Sequence, residues 1–290
     1  MLLSPAAGAG GWPFFCCFSA TGSAAAATGA GTPLFCLPGL IANTREFLPL
    51  AEALQADRPV YGFVSHVYTR KRWRGFAVQE MAAEYADFIA AAATGGRCAL
   101  LGWSSGGDLA FEVARRLQGR VEIVFTALVD VFETEPLVPS RELAPAQRAQ
   151  ADEALAAWLG RSQMAEQWQA LIARMDDGER SWVALQVLDA AQDFPVDGPG
   201  DEAAEYLMWA TLDKRVQAQR YAYEPSALPV HVFQADSSLT AEGVLRRWQD
   251  HAQVVATEVL PQASHLDIIR HPQLCAALAK ALRVTDTTTA

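Results

Sequence analysis

A serine lies at the centre of the pentapeptide Gly-Trp-Ser-Ser-Gly, which occupies positions 102 to 106. An apolar run, Cys98–Leu101, precedes it and an amphipathic stretch, Asp108–Leu117, follows it. This order predicts a sharp turn from a strand into a helix, where a serine hydroxyl is exposed and small flanking residues let neighbouring backbone pass. We therefore predict Ser104 as the nucleophile of an acyl-transfer reaction, with the backbone N–H of Ser105 as an oxyanion donor.

A serine nucleophile needs a base to take its proton, and histidine is the usual one. The chain contains five histidines. His265 follows the last predicted strand, Val254–Leu260, in a loop that should leave the carboxyl edge of a parallel sheet. It also follows the serine in the chain, which is the order that a hydrolase of this kind requires. We therefore predict His265 as the general base.

An acid has to orient the imidazole of the base and stabilise its cation. Two aspartates end predicted strands: Asp130 directly after the run that follows the nucleophile's helix, and Asp236 after the next core run. Either one could instead be an ordinary helix cap or a solvated strand end. Both aspartates stay candidates for the acid on this pattern.

A second oxyanion donor usually comes from the loop after an earlier strand. The stretch from Pro33 to Ile41 supplies an apolar run, a Pro-Gly turn and then Leu40. Leu40 is the candidate, because its amide could face the serine. A simple strand-ending turn is the alternative interpretation.

Short apolar runs alternate with amphipathic stretches along much of the chain, which is typical of a mostly parallel sheet covered on both faces. The predicted strands are Trp12–Ser19, Leu34–Leu37, Val60–Val64, Cys98–Leu101, Ile123–Val129, Val230–Gln234 and Val254–Leu260. The predicted helices are Thr44–Leu54, Val78–Ala93, Asp108–Leu117, Ala241–Asp250 and Pro272–Leu282. The first two strands should run antiparallel, because the segment between them has no room for a crossover helix. Together with the serine motif, this pattern predicts the α/β-hydrolase fold, with a mostly parallel central sheet flanked by helices.

The pattern changes between residues 135 and 225, where strand-like runs give way to helical, charged segments that contain four tryptophans. An insertion at this point of such a sheet lies above the carboxyl ends of the strands. We predict a single domain over residues 1–290 with a helical lid insertion over residues 135–225. Most of the tryptophans are expected to pack the small core of the insertion itself.

The composition excludes several classes of partner. The 33 acidic and 23 basic residues give a net charge of -10, which disfavours nucleic acid and anionic membrane surfaces. No apolar run reaches the length of a membrane span. The five cysteines are an odd number without metal-ligand spacing, which predicts reduced thiols and no metal site. We expect a cytoplasmic monomer or weak dimer.

Several segments together resemble the thioesterase domains of nonribosomal peptide synthetases and polyketide synthases. They are Pro33–Gly39, Phe47–Leu54, Val60–Gly62, Met81–Tyr85, Gly102–Gly107 and Leu109–Ala114. The likeness is close over Thr32–Asp130 and looser over Pro229–Leu282. It implies that an acyl or peptidyl group moves to Ser104 from the phosphopantetheine arm of an acyl or peptidyl carrier protein. Water or an internal amine or hydroxyl then releases the group, by hydrolysis or macrocyclisation, and no cofactor of the chain's own is implied.

The resemblance also bears on the acid. In family members that terminate assembly lines the acid commonly ends the strand after the nucleophile's helix, which here is Asp130. In stand-alone editing members it follows the next core strand, which here is Asp236. The Gly-Trp-Ser-Ser-Gly-Gly form is more similar to the terminating kind and favours Asp130. The alternative functions are a carboxylesterase or lipase acting on small esters, and a binding module without turnover.

One segment of this acidic chain is strongly basic: Arg70, Lys71, Arg72 and Arg74 surround Trp73 between a predicted strand and a predicted helix. In a doubly wound sheet that loop leaves the carboxyl edge, next to the predicted active site. Carrier proteins of this family are typically acidic, so Arg70, Arg72 and Arg74 are candidates for carrier docking. The alternative interpretation is a solvated loop.

Overall fold

The computed structural model describes residues 15–17, 30–39, 44–54, 57–63, 78–133, 144–162, 165–173, 175–177, 180, 223–240 and 244–287. Its strands are β1 (Phe15–Cys17), β2 (Leu34–Leu37), β3 (Val60–Phe63), β4 (Arg97–Trp103), β5 (Glu122–Val129), β6 (Pro229–Ala235) and β7 (Gln253–Leu260). They form one sheet in the order β1-β3-β2-β4-β5-β6-β7. Strands β2 to β7 are parallel, and β1 pairs antiparallel with β3. The predicted mostly parallel sheet is confirmed.

Among the described residues, four α-helices belong to the part of the chain that contains the sheet. They are α1 (Leu48–Leu54), α2 (Val78–Ala92), α3 (Ser105–Leu117) and α6 (Pro272–Thr287). Single turns of 3-10 helix occur at Thr44–Phe47, Thr94–Gly96, Ser237–Leu239, Trp248–Asp250 and Ile268–Arg270. None of the helices in the described ranges has the length and apolarity needed to cross a membrane.

The central strands are apolar almost throughout because both of their faces are covered. All four residues of β2 are buried, and β4 is buried from Cys98 to its last residue. Side chains of these strands join those of α1 and α6 in one hydrophobic core. A continuous apolar run is expected of a parallel strand covered on both faces, which is why the sequence pattern located these strands.

The chain divides into two compact units, of residues 1–69, 78–133 and 223–290, and of residues 70–77 and 134–222. In the second unit the structure describes two helices in mutual contact, α4 (Pro145–Arg161) and α5 (Ala165–Ile172). Trp168 and Leu171 of α5 are fully buried. The single domain with a lid over residues 135–225 stays a prediction.

The direction of β1 relative to β2 is as expected, but the two strands are not neighbours. The register places Phe15 opposite Phe63 of β3, whereas β2 lies between β3 and β4. Strands β1 and β2 therefore do not pair as a hairpin. Local sequence indicated the direction of the strand and not its partner.

The predicted helix at Ala241–Asp250 is wrong for the residues that the structure describes. Leu245 forms an antiparallel bridge with Phe132, and only Trp248–Asp250 form a 3-10 turn. The backbone N–H of Arg246 donates to the carbonyl of Val131 at 2.8 Å. Pairing with the segment after β5 takes up the backbone groups that a helix would have used.

Candidate active site

Ser104 lies between the last residue of β4 and the first residue of α3. Its φ of 55° and ψ of -132° belong to a region that residues with a side chain rarely occupy. A Cβ at Gly102 would stand 2.1 Å from the carbonyl oxygen of Gly106, and one at Gly106 would stand 2.4 Å from that of Leu37. Both positions therefore require glycine. The predicted strand-to-helix turn is present, and Ser104 is half-buried at this turn.

His265 lies in the loop after β7, and its Nε2 is 3.1 Å from the Oγ of Ser104. The indole N–H of Trp103 donates to the carbonyl oxygen of His265 at 3.1 Å. The ring of Phe132 meets the imidazole edge-on, with 5.0 Å between centroids. These contacts fix both the backbone and the ring of His265 beside the serine.

Asp130 follows β5, has a φ of 50° and is 1% exposed. Its Oδ2 is 2.8 Å from the Nδ1 of His265. Its Oδ1 accepts the backbone N–H of Ala235 at 2.9 Å, and its Oδ2 also accepts the hydroxyl of Ser238 at 2.7 Å. Ser104, His265 and Asp130 thus form one hydrogen-bonded series from a hydroxyl to a buried carboxylate.

Asp236, the other candidate for the acid, has a different partner. Its Oδ2 accepts the backbone N–H of Gln262 at 2.6 Å, in the turn that leads from β7 to His265. The structure therefore brings Asp130 and not Asp236 to the imidazole. The carboxylate of Asp236 instead holds the beginning of the loop that contains His265.

The structure describes one of the two predicted oxyanion donors, the backbone N–H of Ser105. Ser105 is the first residue of α3, so its N–H has no acceptor within the helix and lies at the positive end of the helix dipole. Leu40, the other predicted donor, lies outside the described residues. The backbone just before Leu40 lies close to α3, since a Cβ at Gly106 would stand 2.7 Å from the carbonyl oxygen of Pro38. The strand that leads to Leu40 therefore runs against the first turn of α3.

The candidate docking residues Arg70, Arg72 and Arg74 lie outside the described residues. The other histidines on strands and turns have structural contacts. The imidazole of His231 packs on Phe125 at 4.5 Å between centroids, and its pKa is lowered by burial. His251 packs on Tyr223 at 5.3 Å. Within the described ranges, no group of three or more potential ligand residues could hold a metal ion.

Two features of the site region were not predicted. One is the hydroxyl of Ser238 on the carboxylate of Asp130. The other is Arg246, whose side chain is 3% exposed and whose Nε lies 3.1 Å from Asp108 Oδ1, on the first turn of α3. Its Nη1 lies 2.9 Å from Glu133 Oε1. Burial alone would lower the pKa of Arg246, but Asp108, the Tyr223 hydroxyl and Glu133 raise it above its ordinary value.

No local signal identifies either feature. A serine in a turn and an arginine in an amphipathic stretch are ordinary residues, and their partners lie far away in the chain. Asp108 gave the only hint, because an acidic residue in the first turn of a helix is favoured by the helix dipole.

The sequence of this chain also matches a known protein family. Residues 32–282 match the family model of the thioesterase domain. Atromentin synthetase nps3 of Serpula lacrymans var. lacrymans (strain S7.9) is 32% identical over 105 residues, which are 36% of this chain and 11% of that protein. The chain thus spans about a tenth of the length of such curated relatives.

Solved structures show the same fold. The Vlm2 thioesterase domain bound with a dodecadepsipeptide has a TM-score of 0.53 and 16% identity, covering 87% of this chain and 94% of that one. A membrane phospholipase A also has a TM-score of 0.53, with 17% identity over 89% of this chain and 81% of its own. The fold is therefore shared by hydrolases with different substrates.

Proposed function

This chain belongs to the thioesterase domain family, and from that premise we propose that it releases an acyl or peptidyl chain from a carrier-protein phosphopantetheine thioester through an acyl-serine intermediate. The observation on which the proposal rests is the hydrogen-bonded series from Ser104 through His265 to Asp130. The carrier protein is the partner, and the substrate arrives on its phosphopantetheine, so the chain needs no cofactor of its own.

The first half-reaction acylates Ser104. With its proton on Nδ1, His265 donates to Asp130 and leaves Nε2 free to accept the proton of the serine hydroxyl. The serine Oγ attacks the thioester carbonyl carbon, and the carbonyl oxygen becomes an oxyanion next to the N–H of Ser105. The carbon–sulfur bond then breaks, and the departing phosphopantetheine sulfur takes the proton from Nε2. The acyl group is left on Ser104 as an ester.

The second half-reaction uses the same residues in the same order. Water, or an amine or hydroxyl of the acyl chain itself, loses its proton to Nε2 of His265 and attacks the ester carbonyl. The bond to the serine Oγ breaks and Oγ regains the proton, which restores the starting state. Hydrolysis and macrocyclisation differ only in which nucleophile reaches this carbonyl first.

The role of Asp130 is to hold the imidazole in the tautomer that leaves Nε2 unprotonated, and to stabilise the imidazolium that forms. Its burial strengthens that interaction, because the carboxylate is shielded from water. Three hydrogen-bond donors replace the water that the carboxylate has lost.

The proposed carrier partner is supported by the kind of protein that this chain resembles, since one curated relative is an atromentin synthetase. We place the protein in the cytoplasm, because Cys36, Cys98 and Cys275 are buried and unpaired, as is usual in a reducing compartment.

A carboxylesterase or lipase activity is the second candidate, because the same series of residues would cleave an oxygen ester and a phospholipase A shares the fold. Comparing kcat/KM for an acyl-pantetheine thioester with that for an aryl ester of the same acyl group separates the two. We expect the thioester to be preferred. A preference for the aryl or glyceryl ester would contradict the proposed function and favour the alternative.

The acyl-serine step is tested by mass spectrometry of the intact protein after reaction with a fluorophosphonate, followed by peptide mapping. We expect one adduct, on Ser104, and none in Ser104→Ala. Ser237→Ala, which alters an exposed serine in the turn after β6, is the matched control and should be labelled like the wild type. An adduct on any other serine would contradict the mechanism.

A further inference from the structure

Ser238 is a buried hydroxyl next to the proposed acid. It lies in the 3-10 turn Ser237–Leu239, directly after β6, and is 4% exposed. Its Oγ donates to Oδ2 of Asp130 at 2.7 Å, and that same oxygen lies 2.8 Å from Nδ1 of His265. One carboxylate oxygen thus binds both the proposed base and a serine from a neighbouring strand end.

The end of β6 supplies both of the other donors to this carboxylate. The backbone N–H of Ala235 donates to Oδ1 at 2.9 Å, on the side opposite to Ser238. A carboxylate can rotate about the single bond that joins it to Cβ. A donor on each oxygen stops this rotation and fixes the plane of the carboxylate. The donor from Ala235 belongs to the backbone, so Ser238 is the side chain through which this plane can be altered.

We propose that Ser238 is a positioning residue that holds the carboxylate of Asp130 in the plane from which it orients His265. The proposal deepens the proposed function and rests on it. Without the hydroxyl, a buried carboxylate oxygen loses a donor that water cannot replace, and the group gains freedom to turn away from Nδ1. The imidazole then spends less time aligned with Ser104, so the chemical step slows while substrate binding does not change.

The chain offers a matched control next to the residue. Ser237 precedes Ser238 in the same turn, but it is exposed, and its backbone N–H donates to the carbonyl of Ala263 in any variant. Ser237→Ala therefore removes a hydroxyl from the same turn without touching the carboxylate. Ser238→Cys is a second test variant, because it keeps the branching of the side chain and replaces the hydroxyl with a somewhat larger thiol that is a much weaker donor.

The experiment consists of two kinetic measurements on the full chain, which give three constants. One is the second-order rate constant for labelling of Ser104 by a fluorophosphonate, which depends on activation of the serine and not on the natural substrate. The other is kcat and KM for an acyl-N-acetylcysteamine thioester. For Ser238→Ala and Ser238→Cys we expect the labelling rate and kcat to fall by about tenfold or more, with KM within about twofold of the wild type. Ser237→Ala should match the wild type in all three.

A purely structural role for Ser238 would lower activity whatever residue stands at position 130. Each Ser238 variant is therefore combined with Asp130→Asn. If Ser238 acts through the carboxylate, the tenfold loss should shrink to less than about twofold in that background. A loss that persists there, or wild-type rates in Ser238→Cys, would overturn the inference and leave the proposed function standing. Failure of the wild type itself to be labelled at Ser104 would instead overturn the proposed function.

Discussion

Ser104 and Asp130 both occupy backbone conformations that are unfavourable for residues with a side chain, with φ of 55° and 50°. Such strain persists only where the surrounding structure determines it, and it is commonly found at active sites. Asparagine and aspartate tolerate positive φ better than most residues. Asp130→Asn therefore removes the charge without adding strain, which makes this variant a clean test of the acid.

We expect Asp130→Asn to lower kcat/KM by about 10³- to 10⁴-fold, because the amide favours the wrong imidazole tautomer. Asp236→Asn should cost less than about tenfold, because the amide oxygen can still accept the N–H of Gln262. The measurement is steady-state hydrolysis of an acyl-N-acetylcysteamine thioester by both variants. Comparable losses, or a larger loss in Asp236→Asn, would show that the acid is assigned to the wrong strand end.

The buried thiols lead to a second prediction about individual residues. Burial raises the pKa of Cys98 to about 12 and raises that of Cys36 still further. At pH 8 only about 10⁻⁴ of the Cys98 thiol is then ionised, and the thiolate is the form that reacts. Iodoacetamide should leave both cysteines unmodified in the folded protein and alkylate both in urea, as followed by peptide mass spectrometry. Rapid native alkylation of either one would contradict the burial.

At the scale of elements, sequence predicted the parts of the site that depend on local pattern. The turn around Ser104 and the loop of His265 are marked by glycines and by apolar runs that only buried parallel strands contain. Asp130 and Asp236 could not be separated by the ends of their strands, because both strands end at the same edge of the sheet. Which carboxylate reaches the imidazole depends on the conformation of each strand end, and that is set by tertiary contacts.

The segment around Arg246 shows the opposite case, where a helical pattern did not give a helix. Its backbone pairs with the chain after β5, and its side chain is buried on Asp108 and Glu133 with the ring of Tyr223 at 4.2 Å. Neither the ion pair nor the bridge at Leu245 has a local signature. This segment ties the chain that follows Asp130 to the helix that follows Ser104.

Arg246→Met should lower the free energy of unfolding by about 3–5 kcal/mol, because it leaves the buried carboxylate of Asp108 without its guanidinium. Arg247→Met is the matched control, since that neighbouring side chain is 75% exposed and pairs with Asp250 at the surface. Its cost should stay within about 0.5 kcal/mol. Urea unfolding of the three proteins, followed by fluorescence, measures the difference. Equal costs for the two variants would show that the buried pair contributes no more than a surface one.

At the scale of the whole molecule, the net charge of -10 makes the basic run between residues 70 and 74 an exception. The prediction for this run rests on sequence, because its position is not among the described residues. For the proposed carrier protein, if it is acidic, the net negative charge of this chain disfavours approach and a local cationic patch favours it. Docking should therefore be sensitive to these few charges and to salt.

Charge reversal at Arg70, Arg72 and Arg74 should raise KM for a carrier-bound acyl thioester by about tenfold or more. It should leave kinetics on the acyl-N-acetylcysteamine thioester unchanged, because this small mimic makes no contact with a docking surface. A control variant that reverses Arg120, Arg247 and Lys280 changes the net charge by the same amount at other exposed sites. Equal effects of the two triple variants, or equal effects on both substrates, would remove the docking role.

The order of the site residues along the chain has a consequence for the synthesis of this protein on the ribosome. Ser104 and its glycines come early, whereas His265 follows 161 residues later, and Ala235 and Ser238, which hold Asp130, also come after the second unit. At about 5–20 residues per second, a ribosome needs about ten to thirty seconds to make that interval. During this time the nascent chain has no His265 to activate Ser104. Activity therefore begins only when β6 and β7 have joined the sheet, so an incomplete chain is unable to hydrolyse the thioesters around it.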